Sequence, residues 1–542
     1  MTGALLAAVV LGGVSFIVWG CVGWCRLIRE GAEHGRRALM IAPASLLAAA
    51  ASVVLLEITK PVLASAADAE NVGVLLATYW LPLCITVASY GAARLCKVRE
   101  IMLGGVVLGV PAWLLASITA QDALAPAIPQ PWPLPVTIIL CGMSVGASAL
   151  GVLLARRALD RDARKAAVAT ATAHRLTPRD VAVLVAAHDE EQSLPICLQA
   201  LAALVPRENI FVGSDGSTDA TVRVARDWGC NVLDIQPNGG KAQALQRVID
   251  HFAICDRFEV VLIADADAEP GPDYLAHALP LFDDPDVVAV AGHAIPRWCE
   301  HWVPRWSMFF AAYRTRLYRV LQALLRYGQT WRRWNVSYIV PGFSSMYRTR
   351  VLPHLDLAAP GLAVEDFNMT FAIHHHRLGR IAYTPRARSV SQEAYWFRDY
   401  WKQVTRWYLG FWQTVRHHGV WASAFWLSLG VLIVEMLVQS VVFVALPLVL
   451  VWFVMHGGEP LGLGLPLVGE LQLTALDLAL GVFVADYALT AIVAVSDRKP
   501  ILLVYGFGFI LLRWVDSFLF LLTLPRAFLG TSDGRWVSPR RI

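Results

Sequence analysis

Two apolar tracts bracket one polar block, and that arrangement limits what this chain can become. Residues 1–155 and 421–530 are strongly apolar, while residues 157–420 carry most of the charge. Of the 542 residues, 56% are hydrophobic and only 16% charged, where a soluble globular protein is near a quarter charged. The mean hydropathy is +0.52. The pattern predicts an integral membrane protein with one polar domain of about 260 residues, enough for its own core. The formal net charge of +4 is small and no Lys/Arg-rich run is present, so nucleic acid is not an expected partner.

A membrane-crossing helix needs about 20 apolar residues. Five candidates precede the polar block, near 3–22, 39–58, 73–94, 101–119 and 135–155. Their loops alternate in charge. The stretch from Arg26 to Arg37 is basic, that from Ala64 to Asn71 lacks Lys and Arg, and Arg94, Lys97 and Arg99 mark the third. The fourth, Gln121 to Pro133, is acidic and Pro-rich, and Arg156, Arg157, Arg161, Arg164 and Lys165 follow. Positive loops stay on the cytoplasmic side, which predicts an outside N-terminus and a cytoplasmic polar domain at the plasma membrane. The first segment lacks a signal peptide's charged start and cleavage site, so it is expected to remain a span.

After the polar block, residues 421–456 are too long for one straight span and short for two. Residues 472–495 make one span, and 500–530 are apolar but interrupted by Arg513 and Asp516. Those two, three apart, are expected to share a helix face and can pair there. A basic tail with Arg526, Arg535, Arg540 and Arg541 belongs on the cytoplasmic side and asks for an even number of passes. The expected division is a five-span region over 1–156, a catalytic domain over 157–394, and an interfacial helix over 395–420. Three or four spans and a tail then occupy 421–542. Nine cysteines are scattered without Cys-x-x-Cys or zinc-like His/Cys spacing, as reduced buried thiols would be.

Inside the polar block, apolar runs of strand length alternate with helical segments. Val181-Ala-Val-Leu-Val185, Asn209 to Gly213, Asn231 to Asp234 and Phe258 to Ile263 read as strands. Residues 190–204, Asp219 to Trp228 and Lys241 to Phe252 read as helices. Repeated units of this length predict a Rossmann-like α/β domain with a mostly parallel sheet. Ligands bind such sheets beyond the carboxyl ends of the strands, and several acidic motifs begin where an apolar run stops.

Asp265-Ala266-Asp267 follows one such run, and two carboxylates at a strand end suit Mg²⁺ or Mn²⁺ carrying phosphate oxygens. Asp215-Gly-Ser-Thr-Asp219 is a strand-to-helix turn whose Asp215 can accept hydrogen bonds from a nucleotide. Asn238-Gly-Gly-Lys-Ala242 opens a helix with free backbone N–H groups and the charge of Lys241, which favours phosphate. Glu365-Asp366 can supply a base for an acceptor hydroxyl, or acids that favour a helix N-terminus. Gln403, Arg406 and Trp407 share one face of an aromatic helix running from Tyr395 to Trp412. Trp396, Trp401 and Trp412 read as interfacial belt residues. His374-His-His376 point in different directions on a helix and read as solvated rather than metal-ligating.

In this order the motifs resemble those of the family 2 membrane glycosyltransferases, the processive synthases of cellulose, chitin, hyaluronan and poly-N-acetylglucosamine. The likeness spans about 178–412 and extends to Arg535-Trp-Val-Ser-Pro-Arg540. It implies a GT-A fold and inverting, metal-dependent transfer from a nucleotide sugar, usually UDP-linked. It implies nucleotide-sugar contacts from Glu190, Asp215, Lys241 and Asp265, metal ligation by Asp267 with Asp265, and Asp366 as base beside Glu365. Gln403, Arg406 and Trp407 would lie beside acceptor and pyrophosphate. Ala186, His188 and Asp189 stand where the family usually has Pro, Tyr and Asn. The expected acceptor is a growing polysaccharide passed outward through the membrane region, and the rival is a membrane lipid, as in the related ceramide glucosyltransferases. Membrane lipids, a second copy of the chain or an export partner are further expected contacts. A non-catalytic scaffold would leave the acidic residues dispensable. An ATP-driven transporter lacks its phosphate loop here.

Overall fold

The computed structural model describes residues 176–298, 305–455, 461–465, 469–473 and 496–530. Isolated helical positions between Ser15 and Arg26 and between Val482 and Ala494 are also described. Those isolated positions apart, the five leading spans, the span expected over 472–495 and the tail beyond 530 lie outside the described residues. Residues 171–322, 329–443 and 511–542 make one compact unit, and 1–170, 323–328 and 444–510 make another.

The first unit is built on an eight-stranded sheet of order β3-β2-β1-β4-β7-β6-β8-β5. Its parallel half comprises β1 (Val181–Ala187), β2 (Ile210–Asp215), β3 (Asn231–Ile235) and β4 (Val260–Asp265). All seven residues of β1 are buried, as a continuous Val/Ala/Leu run requires when both faces are covered. Helices α1 (Leu194–Ala202), α2 (Thr221–Asp227) and α3 (Lys241–His251) connect these strands. The first helix starts later than expected because Pro195 occupies its opening turn and Glu190 to Ser193 are spent on the preceding loop. Ala187 pairs with Ser214 and Ala186 with Asp265, so the three strands end level with one another.

The other half is mixed. It adds β5 (Glu269–Pro270), β6 (Val287–Pro296), β7 (Ser344–Arg348) and β8 (Arg380–Ser391), with β7 antiparallel to β4 and β6 parallel to β8. Helices α4 (Phe309–Val320), α5 (Glu365–His375) and α6 (Phe397–His418) are the longer helices that follow, up to residue 420.

Residues 421–456, ambiguous in sequence, form a single helix α7 (Ala424–Met455) of 32 residues with Pro447 inside it. Its length of about 48 Å exceeds a bilayer core of about 30 Å. Among the described residues Ala424–Trp452 is the one segment long and apolar enough to cross a membrane. Residues 500–530 divide into Ile501–Gly506 and α8 (Phe509–Leu529). Asp516 of α8 accepts hydrogen bonds from the hydroxyls of Tyr313 at 2.7 Å and Tyr400 at 2.5 Å. Arg513 donates to Gln439 Oε1 at 3.4 Å and lies over the Phe443 ring. In the second unit, Leu461–Leu465 and Gly469–Leu473 form an antiparallel hairpin. The three described cysteines, Cys197, Cys230 and Cys255, are free thiols.

Candidate active site

The loops after β1 and β2 are knitted together by their own side chains. Asp189, at φ 53°, accepts from Thr218 N at 2.7 Å, and Asp189 N donates to Ser217 Oγ at 3.2 Å. Glu191 N donates to Asp219 Oδ2 at 3.0 Å while Glu191 Oε2 accepts from Ala220 N at 3.0 Å. Glu190, expected to face a nucleotide, is fully buried. Its backbone N–H bonds Thr221 Oγ1 and its carboxylate accepts from the Ser193 hydroxyl.

Asp215 is buried in the same way. It is 0% exposed, and its two oxygens accept from Gly239 N at 2.8 Å and Gly240 N at 2.7 Å. Gly240 sits at φ 92°, a conformation that only glycine takes readily. Asp215 therefore shapes the turn that starts α3, and with it the position of Lys241.

Lys241 joins three motifs that lie far apart in sequence. Its Nζ is 2.7 Å from Asp265 Oδ1 and 2.6 Å from Glu365 Oε1, and it donates to Gly342 O at 3.2 Å. Burial alone would lower the Lys241 pKa, but the two carboxylates overcome it and raise it, so the amine stays charged. Burial would likewise raise Glu365; Lys241 overrides that and holds the carboxyl low. Asp366 is set the other way. Its oxygens accept from Phe367 N at 2.7 Å and Gly342 N at 3.3 Å. Burial first, then the anionic Glu365, push it up to about 7. Two adjacent carboxyls thus become one fixed anion and one group exchanging its proton near neutrality.

Sequence reading missed Gly342. A Cβ there would lie 3.0 Å from Glu365 Oε1 and 3.1 Å from Lys241 Nζ. The available signal was Pro341-Gly342, a turn directly before the Ser344–Arg348 strand.

Asp265 ends β4 with its side chain 32% exposed, and Asp267 is also partly exposed beyond the buried Ala266. Among the described residues no group of three or more His, Cys, Asp or Glu gathers as a closed metal cage. Two hard carboxylates open to solvent fit Mg²⁺ or Mn²⁺, which keep waters or phosphate oxygens in the rest of the shell.

On α6, Gln403, Arg406 and Trp407 are half-buried. Gln403 Oε1 is enclosed without a hydrogen-bond partner. The charge of Arg406 helps keep Glu365 ionised, which couples α6 to the start of α5. The helices touch closely: a Cβ on Gly410 would come within 2.4 Å of Val364 Cγ2, the residue before Glu365. The flanking aromatics divide. Trp396 is 59% exposed, but Trp412 is 3% exposed and donates to Phe520 O at 3.3 Å, which makes it a packing residue rather than a belt residue. His375 and His376 are exposed. His374 is not solvated as expected. Its Nε2 lies 2.9 Å from Ser337 O, its ring stacks on Phe425, and burial pushes its pKa down to about 4.

A mostly parallel Rossmann-like sheet with acidic motifs at level strand ends, beside a glycine turn opening a helix, is an arrangement of the GT-A type. Residues 178–410 match the family model described as "Glycosyltransferase like family 2". That stretch runs from the start of the sheet to Gly410 of α6 and forms a glycosyltransferase family 2-like domain. No curated protein matches the chain. Among solved structures, it is similar to the mannosyltransferase PcManGT from Pyrobaculum calidifontis in complex with GDP-Man and Mn²⁺. That match has 19% identity and a TM-score of 0.43, and covers 72% of this chain and 98% of that one. It is also similar to glucosyl-3-phosphoglycerate synthase from Mycobacterium tuberculosis in complex with Mn²⁺, UDP and phosphoglyceric acid. There the identity is 18% and the TM-score 0.30, with 45% of this chain and 80% of that chain covered.

Proposed function

We propose that this chain is an inverting, membrane-bound glycosyltransferase. It transfers a sugar from a UDP-linked donor to a growing β-linked polysaccharide and passes the product across the membrane. The observation that carries the reading is the split pair Glu365/Asp366, joined through Lys241 to Asp265.

In an inverting transfer the acceptor hydroxyl attacks the anomeric carbon while the nucleoside diphosphate leaves from the opposite side. Asp366, with its proton affinity raised to about 7, takes the hydroxyl proton. Glu365 stays anionic, which keeps Lys241 in place and keeps the proton affinity of Asp366 high. Lys241 presents its charge beside Asp265, on the side where the diphosphate departs. Asp267 and Asp265 would hold Mg²⁺ or Mn²⁺, and the bound ion supplies charge neutralisation for the leaving diphosphate. Gln403, with its enclosed and unpartnered oxygen, lies on the same helix face as Trp407, which offers a flat face to the acceptor ring.

The test is a panel of labelled nucleotide sugars with purified full-length protein, Mn²⁺ and product sizing. Asp366→Asn is expected to abolish transfer while donor binding persists, and EDTA to stop turnover. Full activity in Asp366→Asn removes the base assignment, and full activity in EDTA removes the metal role of Asp267. A second reading, transfer to a membrane lipid, is favoured by one observation: α6 ends at His418 and the apolar α7 begins at Ala424. A short, solvent-extractable product would select it over the polymer.

A further inference from the structure

Arg314 of α4 is only 3% exposed. Removing a guanidinium from water is costly unless its surroundings compensate. Here the surroundings are mainly rings. The guanidinium carbon lies 4.4 Å from the centroid of Trp407, 4.9 Å from that of Tyr400 and 5.9 Å from that of Tyr318. Its Nε is 3.8 Å from Glu393 Oε2, and neither Nε nor Nη2 makes a hydrogen bond. Glu393 and the buried Asp516 favour the charged form, and the three rings pack directly on the guanidinium.

The position of these contacts is informative. Tyr400 and Trp407 are about two turns apart on α6, so both rings project from one face toward α4. Tyr400 is itself pinned, its hydroxyl bonded to Asp516. Glu393 follows β8 by two residues, and β8 pairs with β5, the strand directly after Asp267, through Glu269 and Val390. Arg314 therefore stands where the strand edge beside Asp267 meets the helix carrying Trp407.

We propose that Arg314 is a positioning residue that fixes the plane of the Trp407 indole, and thereby the seat of the acceptor sugar ring. The inference rests on the glycosyltransferase reading above. An indole free to change rotamer would still exclude water but would no longer present one face. Losing Arg314 should then weaken acceptor binding and leave the donor side, built on Lys241, Asp265 and Asp267, untouched.

The experiment uses the full chain, with acceptor and donor concentrations varied in turn. Arg314→Met is expected to raise the acceptor KM about tenfold, with donor KM and UDP affinity within about twofold. In a Trp407→Leu background the same substitution should add less than about twofold to the acceptor KM, because the ring it positions is gone. Arg314→Lys, which keeps the charge without the stacking plane, should fall between wild type and Arg314→Met. It also serves if Arg314→Met does not fold. Equal increases in donor and acceptor KM, an unchanged acceptor KM in the Lys variant, or full additivity with Trp407→Leu would each overturn the inference while leaving the enzymatic reading intact. A wild-type chain that transfers from no donor overturns both.

Discussion

Asp366 is expected to produce two pH effects of opposite sign. As a base it must lose its proton, so kcat/KM should rise through about pH 7 and level off above it. For stability the sign reverses. Its folded pKa is raised above the ordinary carboxylate value, so its contribution is complete below about pH 4 and is lost as pH climbs through about 7. Asp366→Asn should therefore gain thermal stability relative to wild type between about pH 4.5 and 8. Unfolding midpoints at the two pH values check this, and a flat wild-type rate profile across that range counts against the base role. The letters Glu365-Asp366 were legible as acids of consequence; their separation into anion and base was not. It depends on Lys241, over a hundred residues earlier, and on an amide of Gly342. For Asp215 the sequence shows the residue type but not the backbone N–H groups of Gly239 and Gly240 that engage both its oxygens.

Lys241 also shows what can be read at the scale of elements. The opening turn of α3, the end of β4 and the first residue of α5 meet on its ammonium group. Lys241→Met would leave Glu365 buried and unpaired, at a cost of about 3 kcal/mol or more. Urea unfolding should show that loss, with donor binding falling alongside it; an unaltered midpoint would mean that the pairing contributes little. The parallel strands were readable because strands buried on both faces must be continuously apolar, as Val181–Ala187 is. The mixed half escaped notice for the complementary reason. Strand β8 buries alternate residues only, a proline, Pro385, is one of those buried, and three arginines stand among its other positions. The 421–456 tract could be weighed by length but not divided, since nothing in an apolar run shows whether Pro447 ends a helix or sits within one.

Across the whole molecule, the unit that holds the sheet is not one continuous piece of chain. It takes in residues 511–542 as well as the segments around the sheet. Trp412 donates to Phe520 O, and Tyr313 and Tyr400 both donate to Asp516. A chain ending at Val420 would retain every motif of the proposed donor site and lose those acceptors. It is expected to aggregate or to bind donor much more weakly than the full chain, as measured by donor affinity in matched detergent. Equal affinity in the shortened chain would show that α8 is dispensable to the site. None of this was legible in the sequence, where Asp516 reads as half of a local pair with Arg513.

The shared carboxylate of Asp516 also sets a timetable. Tyr313 and Tyr400 precede it by 203 and 116 residues. At ordinary translation speeds the second interval alone lasts on the order of ten seconds. During that time the sheet can assemble on the ribosome, but the two phenol groups have no acceptor from α8 and the aromatic floor under α6 stays unfinished. Helix α8 thus closes the domain, and the chain passes through an interval in which the segments up to α6 are synthesised and the packing that α8 supplies is not.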